Sequence, residues 1–174
     1  MSRLFALCLV GALLACTPAG KVERREAFQP RPEREDLYVL PFTRVMVPWE
    51  LNETIFDRFV DNLNDSALPE DYAFTILKRS PKDIDPQWLG EQYYISGEIF
   101  GFRQESGCCS TLLQLTGRVR FHQPGQDQAT FIAEYPAEIF FDHDDSSLEI
   151  ERQKLAAEIA DRLSRQLLDA LLGT

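Results

Sequence analysis

The densest group of side chains that could do chemistry in this sequence is the run Asp142, His143, Asp144 and Asp145. Carboxylate oxygens bind hard cations, and an imidazole adds a ligand that suits transition metals. The same acidic residues precede a predicted helix, however, and negative charge interacts favourably with a helix amino terminus. The run also lacks the glycine and the terminal glutamate of a calcium-binding loop. We therefore favour the helix-terminus interpretation and predict no metal site.

No pattern in the sequence marks an active site. A Gly-x-Ser-x-Gly nucleophile elbow, a His-Glu-x-x-His zinc motif and a glycine-rich phosphate loop are all absent. The chain has only two histidines, His122 and His143. Its 28 acidic residues make carboxylate pairs common by chance, so no single pair indicates glycoside hydrolysis. We predict that the protein is not an enzyme and needs no cofactor.

Two of the four cysteines, Cys108 and Cys109, are neighbours in the sequence. Adjacent cysteines in an oxidising compartment can join in a strained disulfide that is readily reduced. We predict such a vicinal disulfide; the alternative is two free thiols in a hairpin loop, one of them partly buried. A zinc site would need two further ligands, which the spacing does not provide.

The amino-terminal segment has the properties of a secretory signal. Arg3 supplies a positive charge, and the apolar run that follows, residues 4–14, is too short to span a bilayer as a helix. The alternative is a buried amino-terminal helix in which Cys16 is an ordinary thiol. The small Ala15 and the abrupt polar change at Thr17 favour cleavage.

The end of this segment, Leu13-Leu14-Ala15-Cys16, resembles the lipobox of bacterial lipoproteins. The resemblance implies that residues 1–15 are removed as a signal peptide and that Cys16 receives a diacylglycerol group and amino-terminal acylation. In that family an aspartate after the cysteine tends to retain the product at the inner membrane. Thr17 at this position implies transport to the outer membrane, with the protein facing the periplasm.

The charge of the chain restricts its partners. The formal net charge is −10 at pH 7. An acidic surface disfavours nucleic acid and anionic headgroups, which attract lysine and arginine patches. We therefore predict no nucleic-acid partner, and membrane attachment through the lipid on Cys16.

Residues 16–36 are rich in proline and charge and poor in apolar side chains, which predicts a flexible tether. The alternative for residues 22–28 is a short helix that docks on the domain or on a partner. Residues 37–174 have enough apolar residues for one periplasmic domain.

The domain begins with a predicted strand over residues 37–42. Helical spacing of apolar residues then predicts an amphipathic helix with Asn52 as its cap. A second strand follows over residues 72–77. Asp85 and Gly90 bound a predicted single helical turn.

Three strands with alternating apolar residues and glycine-containing hairpins follow this turn. Pro136 in the third of them predicts an edge strand or a bulge. A capping box of Ser146 and Glu149 predicts the start of a long final helix, residues 148–172. The order β-α-β-(short α)-β-β-β-α predicts an α+β fold of two layers, with helices on one face of a mixed, mostly antiparallel sheet.

Two segments of this domain resemble landmarks of a broad group of envelope proteins. The group includes the amino-terminal domain of TolB, the curli-secretion lipoprotein and the lipoprotein activator of penicillin-binding proteins. The segments are Val39-Leu40-Pro41-Phe42 and Leu89-Gly90-Glu91-Gln92-Tyr93-Tyr94-Ile95-Ser96-Gly97-Glu98-Ile99. The resemblance covers about residues 37–172. It implies binding to other proteins or assembly into larger envelope structures, without a shared catalytic site.

Two groups of side chains are candidate interaction surfaces. Strand alternation places Tyr94, Phe100 and Phe102 on the face opposite Ile95 and its apolar neighbours, where they are exposed if helices cover only one face. Two leucines near the end of the last helix, Leu168 and Leu172, widen its apolar surface beyond one narrow stripe.

These observations predict a non-enzymatic outer-membrane lipoprotein that acts as an accessory or assembly factor for an envelope protein complex. An envelope protein is the expected partner, and self-association is a further mode of contact. The alternative function is a periplasmic lipoprotein that binds a small molecule or a lipid through its exposed aromatic face.

Overall fold

The computed structural model describes residues 20–30, 36–66, 73–79 and 81–173. The predicted signal peptide, residues 1–15, and the predicted lipidation site Cys16 lie outside the described residues.

Seven strands within the described part of the chain form one sheet. The sheet order is β1-β7-β6-β5-β2-β4, and β3 pairs with β5. The pairs β1–β7, β6–β7 and β5–β6 are antiparallel, whereas β2 and β3 run parallel to β5 and β4 runs parallel to β2. The strands are β1 (Lys21–Arg24), β2 (Leu37–Val39), β3 (Thr43–Arg44), β4 (Phe74–Ile76), β5 (Tyr93–Ser106), β6 (Ser110–His122) and β7 (Phe131–Asp142).

The helices are α1 (Trp49–Asn64), α2 (Pro86–Gly90) and α3 (Leu148–Leu172). The two long helices, α1 and α3, pack side by side on one face of the sheet because alternate residues of the long strands and one stripe of each helix are apolar and buried. At the point where α3 crosses β6, a Cβ on Gly117 would lie 2.5 Å from Ile159 Cγ2. The α+β, two-layer, mostly antiparallel prediction is confirmed.

The helix ends agree only in part with the predicted caps. Asp85 caps α2 by accepting a hydrogen bond from Gln87 N, as predicted. Helix α1 begins three residues before Asn52, after Pro48, and Asn52 instead donates to Phe42 O at 3.2 Å. Ser147, not Ser146, caps α3, because its hydroxyl accepts from Ile150 N at 3.4 Å.

Strand β1 lies within the segment that the sequence predicts as a flexible tether. Lys21 and Arg24 pair with Glu134 and Phe131 of β7, and the Phe28 ring packs against Phe131 with 5.7 Å between centroids. The expectation of a solvated tether is therefore wrong for this part, as is a helix over residues 22–28. The reason is that β7 offers unpaired backbone groups, whose hydrogen bonds a polar strand can satisfy without a hydrophobic core.

Pro136 lies in β7 beyond the stretch that β1 covers, which is Phe131 to Glu134. On its other side Pro136 is opposite Thr116 of β6. Pro136 therefore lies at a sheet edge, as predicted, but only this part of β7 is an edge, because β1 covers the first residues of the strand.

Candidate functional site

Three exposed apolar side chains lie in residues 45–49, which connect β3 to α1 and include the first residue of that helix. We call this segment the Met46 loop. Val45, Met46 and Trp49 are 49%, 92% and 54% exposed. Met46 has a φ of 56°, in the left-handed region that residues other than glycine rarely adopt. Backbone strain of this kind clusters at functional sites, and exposed apolar groups mark interaction surfaces. The Met46 loop is therefore the candidate site for contact with a partner.

The Met46 loop is fastened at both ends, so its exposed side chains are held in place. Val45 N donates to Ile99 O of β5 at 2.9 Å. Arg44 Nη1 donates to Val47 O at 2.7 Å, and the Val47 side chain is buried in the core. A surface that is ordered before binding loses less conformational entropy on association.

A cleft of about 250 Å³ adjoins the Met46 loop. It lies between the first turns of α1 and α3 and combines apolar and charged side chains. Its lining is Pro48, Glu50, Leu51, Thr54, Glu149, Arg152 and Gln153. Apolar anchors beside a pocket with a polar rim are the usual arrangement of a protein interface.

The sheet face opposite α1 and α3, which we call the open face, carries a row of aromatic side chains. Tyr38, Tyr94 and His122 are register partners on β2, β5 and β6. The Tyr94 and His122 rings are stacked, with centroids 4.1 Å apart and planes at 5°. Trp88 of α2 packs edge-on against Tyr38 at 5.1 Å. Tyr94 thus lies on the open face, but its ring is already in contact with His122.

Among the groups whose pKa shift is resolved, His122 has the largest change in pKa on folding. Burial and, to a smaller extent, the positive charge of Arg120 together lower the pKa of His122 to about 4. Its Nε2 lies 3.1 Å from Ser96 Oγ. His122 is therefore neutral at pH 7 and forms a polar contact with Ser96 of β5.

Stability should fall at acidic pH because of His122. The pKa is near 6.5 in the unfolded chain and about 4 in the folded one, so the unfolded state binds the proton first as pH falls. The His122 contribution is complete above pH 6.5 and is lost between pH 6.5 and 4, at a cost on the order of 2–3 kcal/mol. We expect urea unfolding of His122→Phe to show a correspondingly flatter pH dependence in this window. Equal slopes in the two proteins would contradict the assignment.

The middle of the open face carries a charged cluster. Arg118 contacts Glu134 at 2.6 Å and Glu98 at 3.3 Å, and Arg120 contacts Glu98 at 3.1 Å. The Arg118 guanidinium also lies 4.7 Å from the centroid of the Phe100 ring. Phe100 is therefore on the open face, as predicted, but a cation lies over its ring. The open face is a mixed polar surface, as expected for an antiparallel sheet with one side in water.

The prediction that Phe102 shares a face with Tyr94 and Phe100 is wrong. Gly101 has a φ of 69°, and the β5–β6 register shifts between Phe100 and Arg103. This bulge inserts a residue and reverses the alternation of side chains beyond it. Phe102 accordingly packs against the core on the helix side, with the Arg152 guanidinium 5.8 Å from its ring centroid.

The two leucines predicted near the end of α3 are both half-buried. Leu168 packs against the hydrophobic core, whereas Leu172 occupies the last helical position before Gly173, which ends α3 in the left-handed conformation. The structure does not bring these leucines together with the Met46 loop, because the loop adjoins the first turns of α3.

Cys108 and Cys109 lie at the tip of the β5–β6 hairpin, and both are exposed free thiols. Their sulfur atoms are 3.1 Å apart. The contact with Cys108 raises the pKa of the Cys109 thiol, with smaller contributions from burial and from Asp142.

The vicinal disulfide between Cys108 and Cys109 remains a prediction for the exported protein. We expect alkylation without reductant to leave the intact mass unchanged, and alkylation after reduction to add two groups. Two groups added without reductant would show that the thiols stay reduced in the cell envelope.

His143, in the acidic run that begins at the last residue of β7, contacts the same hairpin. His143 N donates to Cys109 O at 2.8 Å, and His143 Nε2 lies 2.8 Å from Thr111 Oγ1. In the part of the chain that the structure describes, no group of three or more His, Cys, Asp or Glu side chains is arranged to hold a metal ion.

The sequence analysis did not identify the Met46 loop. Its only sequence signal is the run Val45-Met46-Val47-Pro48-Trp49, which fits neither the alternation of a strand nor the spacing of the helix that follows. Apolar residues without a periodic role are candidates for exposure, and here the structure exposes three of the five.

The fold resembles that of PelC. The PelC dodecamer from Paraburkholderia phytofirmans matches with a TM-score of 0.52 and 11% identity, over 85% of this chain and 98% of that chain. Protein XCC0632 from Xanthomonas campestris matches with a TM-score of 0.52 and 12% identity, over 90% of this chain and 95% of that one. At these identities the likeness shows the fold alone.

The similar structures include proteins described as lipoproteins. A minor lipoprotein from Acinetobacter baumannii matches with a TM-score of 0.44 and 13% identity, over 78% of this chain and 91% of that chain. No family model matches the sequence, and no curated protein matches it. Among the described residues, no helix has both the length and the apolar character needed to cross a membrane.

Proposed function

We propose that the protein is a non-enzymatic lipoprotein of the outer membrane, anchored through Cys16, which acts from the periplasmic side as an accessory or assembly factor for an envelope protein complex. The Met46 loop is the surface that contacts the partner. The lipobox at residues 13–16 supports the anchor, and Thr17 supports the outer membrane as its location.

The observation that carries the proposal is the exposure of Met46 and Trp49 on a fixed loop. Exposing two large apolar side chains to water is unfavourable by about 1.5–3 kcal/mol each relative to burial. A strained backbone at Met46 adds to this cost. A partner that covers the loop recovers this free energy.

Self-association is one form that this contact can take. PelC, which has a similar fold, forms a dodecamer. In a head-to-tail ring, the Met46 loop of one copy would contact a different surface of the next copy. The fold similarity supports self-association beside contact with an envelope partner.

Site-specific photocrosslinking in cells tests the contact. A photoreactive amino acid at position 46 should yield a crosslinked product, whose mass distinguishes a second copy from another envelope protein. The matched control is position 127, which is also exposed but lies in the β6–β7 connection at the other end of the sheet. Products of equal yield at both positions would contradict a specific role for the Met46 loop.

A second candidate function is binding of an apolar ligand. A cleft of about 460 Å³ lies between α1 and β4, and most of its lining is apolar. The lining residues are Pro41, Phe56, Asp57, Val60, Asp61, Ile76, Leu77 and Lys78. If the cleft holds a fatty acid, native mass spectrometry of the protein should retain one, and Val60→Trp should remove it. A protein free of lipid other than its anchor would exclude this function.

A further inference from the structure

Strand β1 fastens the chain to the sheet close to the predicted lipid anchor. We propose that the β1 edge of the domain is its membrane-facing surface, and that the headgroup layer of the bilayer holding Cys16 covers it. This inference rests on the lipid anchor in the proposed function. It names which surface of the domain that anchor brings to the membrane.

The chain is fixed to the domain from Gly20 onwards. A Cβ on residue 20 would lie 3.0 Å from Tyr135 Cδ2, 3.0 Å from Gln166 Nε2 and 3.1 Å from Glu134 O, so the backbone is packed closely against β7 and α3. Pairing of β1 with β7 follows at once, and Arg25 N donates to Thr130 O at 2.9 Å.

The linker between anchor and domain is therefore very short. Only Thr17, Pro18 and Ala19 separate Cys16 from Gly20. Four residue steps span at most about 14 Å when fully extended. A folded domain of this size has a radius of gyration of about 15 Å. Because the linker is no longer than this radius, the domain cannot turn its far side towards the bilayer.

The chemistry of the β1 edge suits this position. Lys21, Arg24 and Arg25 are exposed, with Glu23 and Glu26 as the acidic residues between and after them. Lys21 pairs with Glu23, and three cations against two carboxylates leave residues 21–26 with a net charge of +1 in a chain whose net charge is −10, so anionic headgroups repel this edge less than the rest of the surface. Val22, which is 43% exposed, adds an apolar side chain at the same edge.

The Met46 loop is displaced from β1 across the width of the sheet, towards the opposite edge. Strand β3, which leads into the loop, pairs with β5, and β5 is separated from β1 by β6 and β7. Four strand spacings amount to about 19 Å. The proposed orientation therefore leaves the partner-contacting loop away from the headgroups.

Spin labels with a headgroup-bound relaxing agent test the orientation. The lipidated protein carries Cys108→Ser and Cys109→Ser, with one new cysteine at Val22 or, as the matched control, at Thr75, an exposed residue on the opposite edge strand β4. The vesicles contain phosphatidylethanolamine, phosphatidylglycerol and a nickel-chelating lipid. We expect power saturation to show several-fold greater relaxation at position 22 than at position 75.

A longer linker tests whether the short linker causes this difference in relaxation. Twenty glycine and serine residues inserted between Ala19 and Gly20 should make relaxation at the two positions similar. Equal relaxation without the insertion would overturn the proposal, and a difference that the insertion leaves unchanged would overturn the short linker as the cause of the orientation. The intact mass shows separately whether Cys16 carries lipid, and an unmodified Cys16 would refute the anchor itself and the orientation with it.

Discussion

Replacing Cys16 with serine should abolish lipid labelling and release the protein from the membrane, because serine has no sulfur to form the thioether. The product should be an uncleaved or a soluble precursor. An anchor with several acyl chains gains about 0.8 kcal/mol per buried methylene, so its loss changes membrane retention almost completely. Metabolic labelling with a fatty acid, fractionation and intact mass measure the three consequences together.

The matched control for Cys16→Ser is Cys8→Ser, which changes a cysteine within the predicted signal peptide. This variant should keep the lipid, the mature mass and the membrane fraction of the unchanged protein. If Cys16→Ser behaves like Cys8→Ser, then Cys16 is an ordinary thiol and the predicted localisation has no basis.

Replacing Gly117 with valine should destabilise the fold more than an ordinary surface substitution. A Cβ at position 117 would lie 2.5 Å from Ile159 Cγ2 and 2.8 Å from Leu163 Cδ1, so α3 would have to move away from β6. Overpacking of this kind costs about 3 kcal/mol, whereas the preference of valine for strands returns at most about 1 kcal/mol. The net cost of about 2 kcal/mol should lower the unfolding temperature by roughly 4–8 °C.

Gly90→Ala is the control for Gly117→Val, since a Cβ on Gly90 meets no atom within 4 Å. Its effect on the free energy of unfolding should be within about 1 kcal/mol. A Gly117→Val protein as stable as Gly90→Ala would mean that α3 does not pack against β6 as described.

The long elements of the fold could be predicted because their apolar patterns are periodic. Strand β6 alternates without interruption, and α3 repeats its apolar residues through seven turns. Strands β1 and β3 could not be predicted in this way. They are short and polar, and they form because a neighbouring strand offers unpaired backbone groups, which is information outside their own residues.

The candidate site was harder to predict than the fold. Alternation placed Tyr94 and Phe100 correctly on the open face, but Gly101 reverses the alternation before Phe102. A glycine within a strand pattern is compatible with a bulge and does not locate one. The exposure of Met46 depends on a left-handed backbone that residue type alone does not predict.

The length of chain between Cys16 and the folded domain determines how freely the domain can rotate. A flexible tether of about 20 residues would span roughly 25 Å and let the domain rotate freely above the membrane. With Gly20 packed against Tyr135 and β1 in the sheet, only three residues separate Cys16 from the folded domain, and the proposed lipid anchor would hold the β1 edge at the bilayer. In that orientation the Met46 loop would be the apolar surface available to the proposed periplasmic partner.

The central claim is that the lipidated protein associates through the Met46 loop, and native mass measurement of membrane extracts tests it most directly. The variant combines Met46→Asn, which tolerates the left-handed backbone, with Trp49→Glu, which suits the first turn of a helix. The unchanged protein should be recovered with further copies or another protein, and the variant as a folded, lipidated monomer. Recovery of the same complex from the variant would contradict the account.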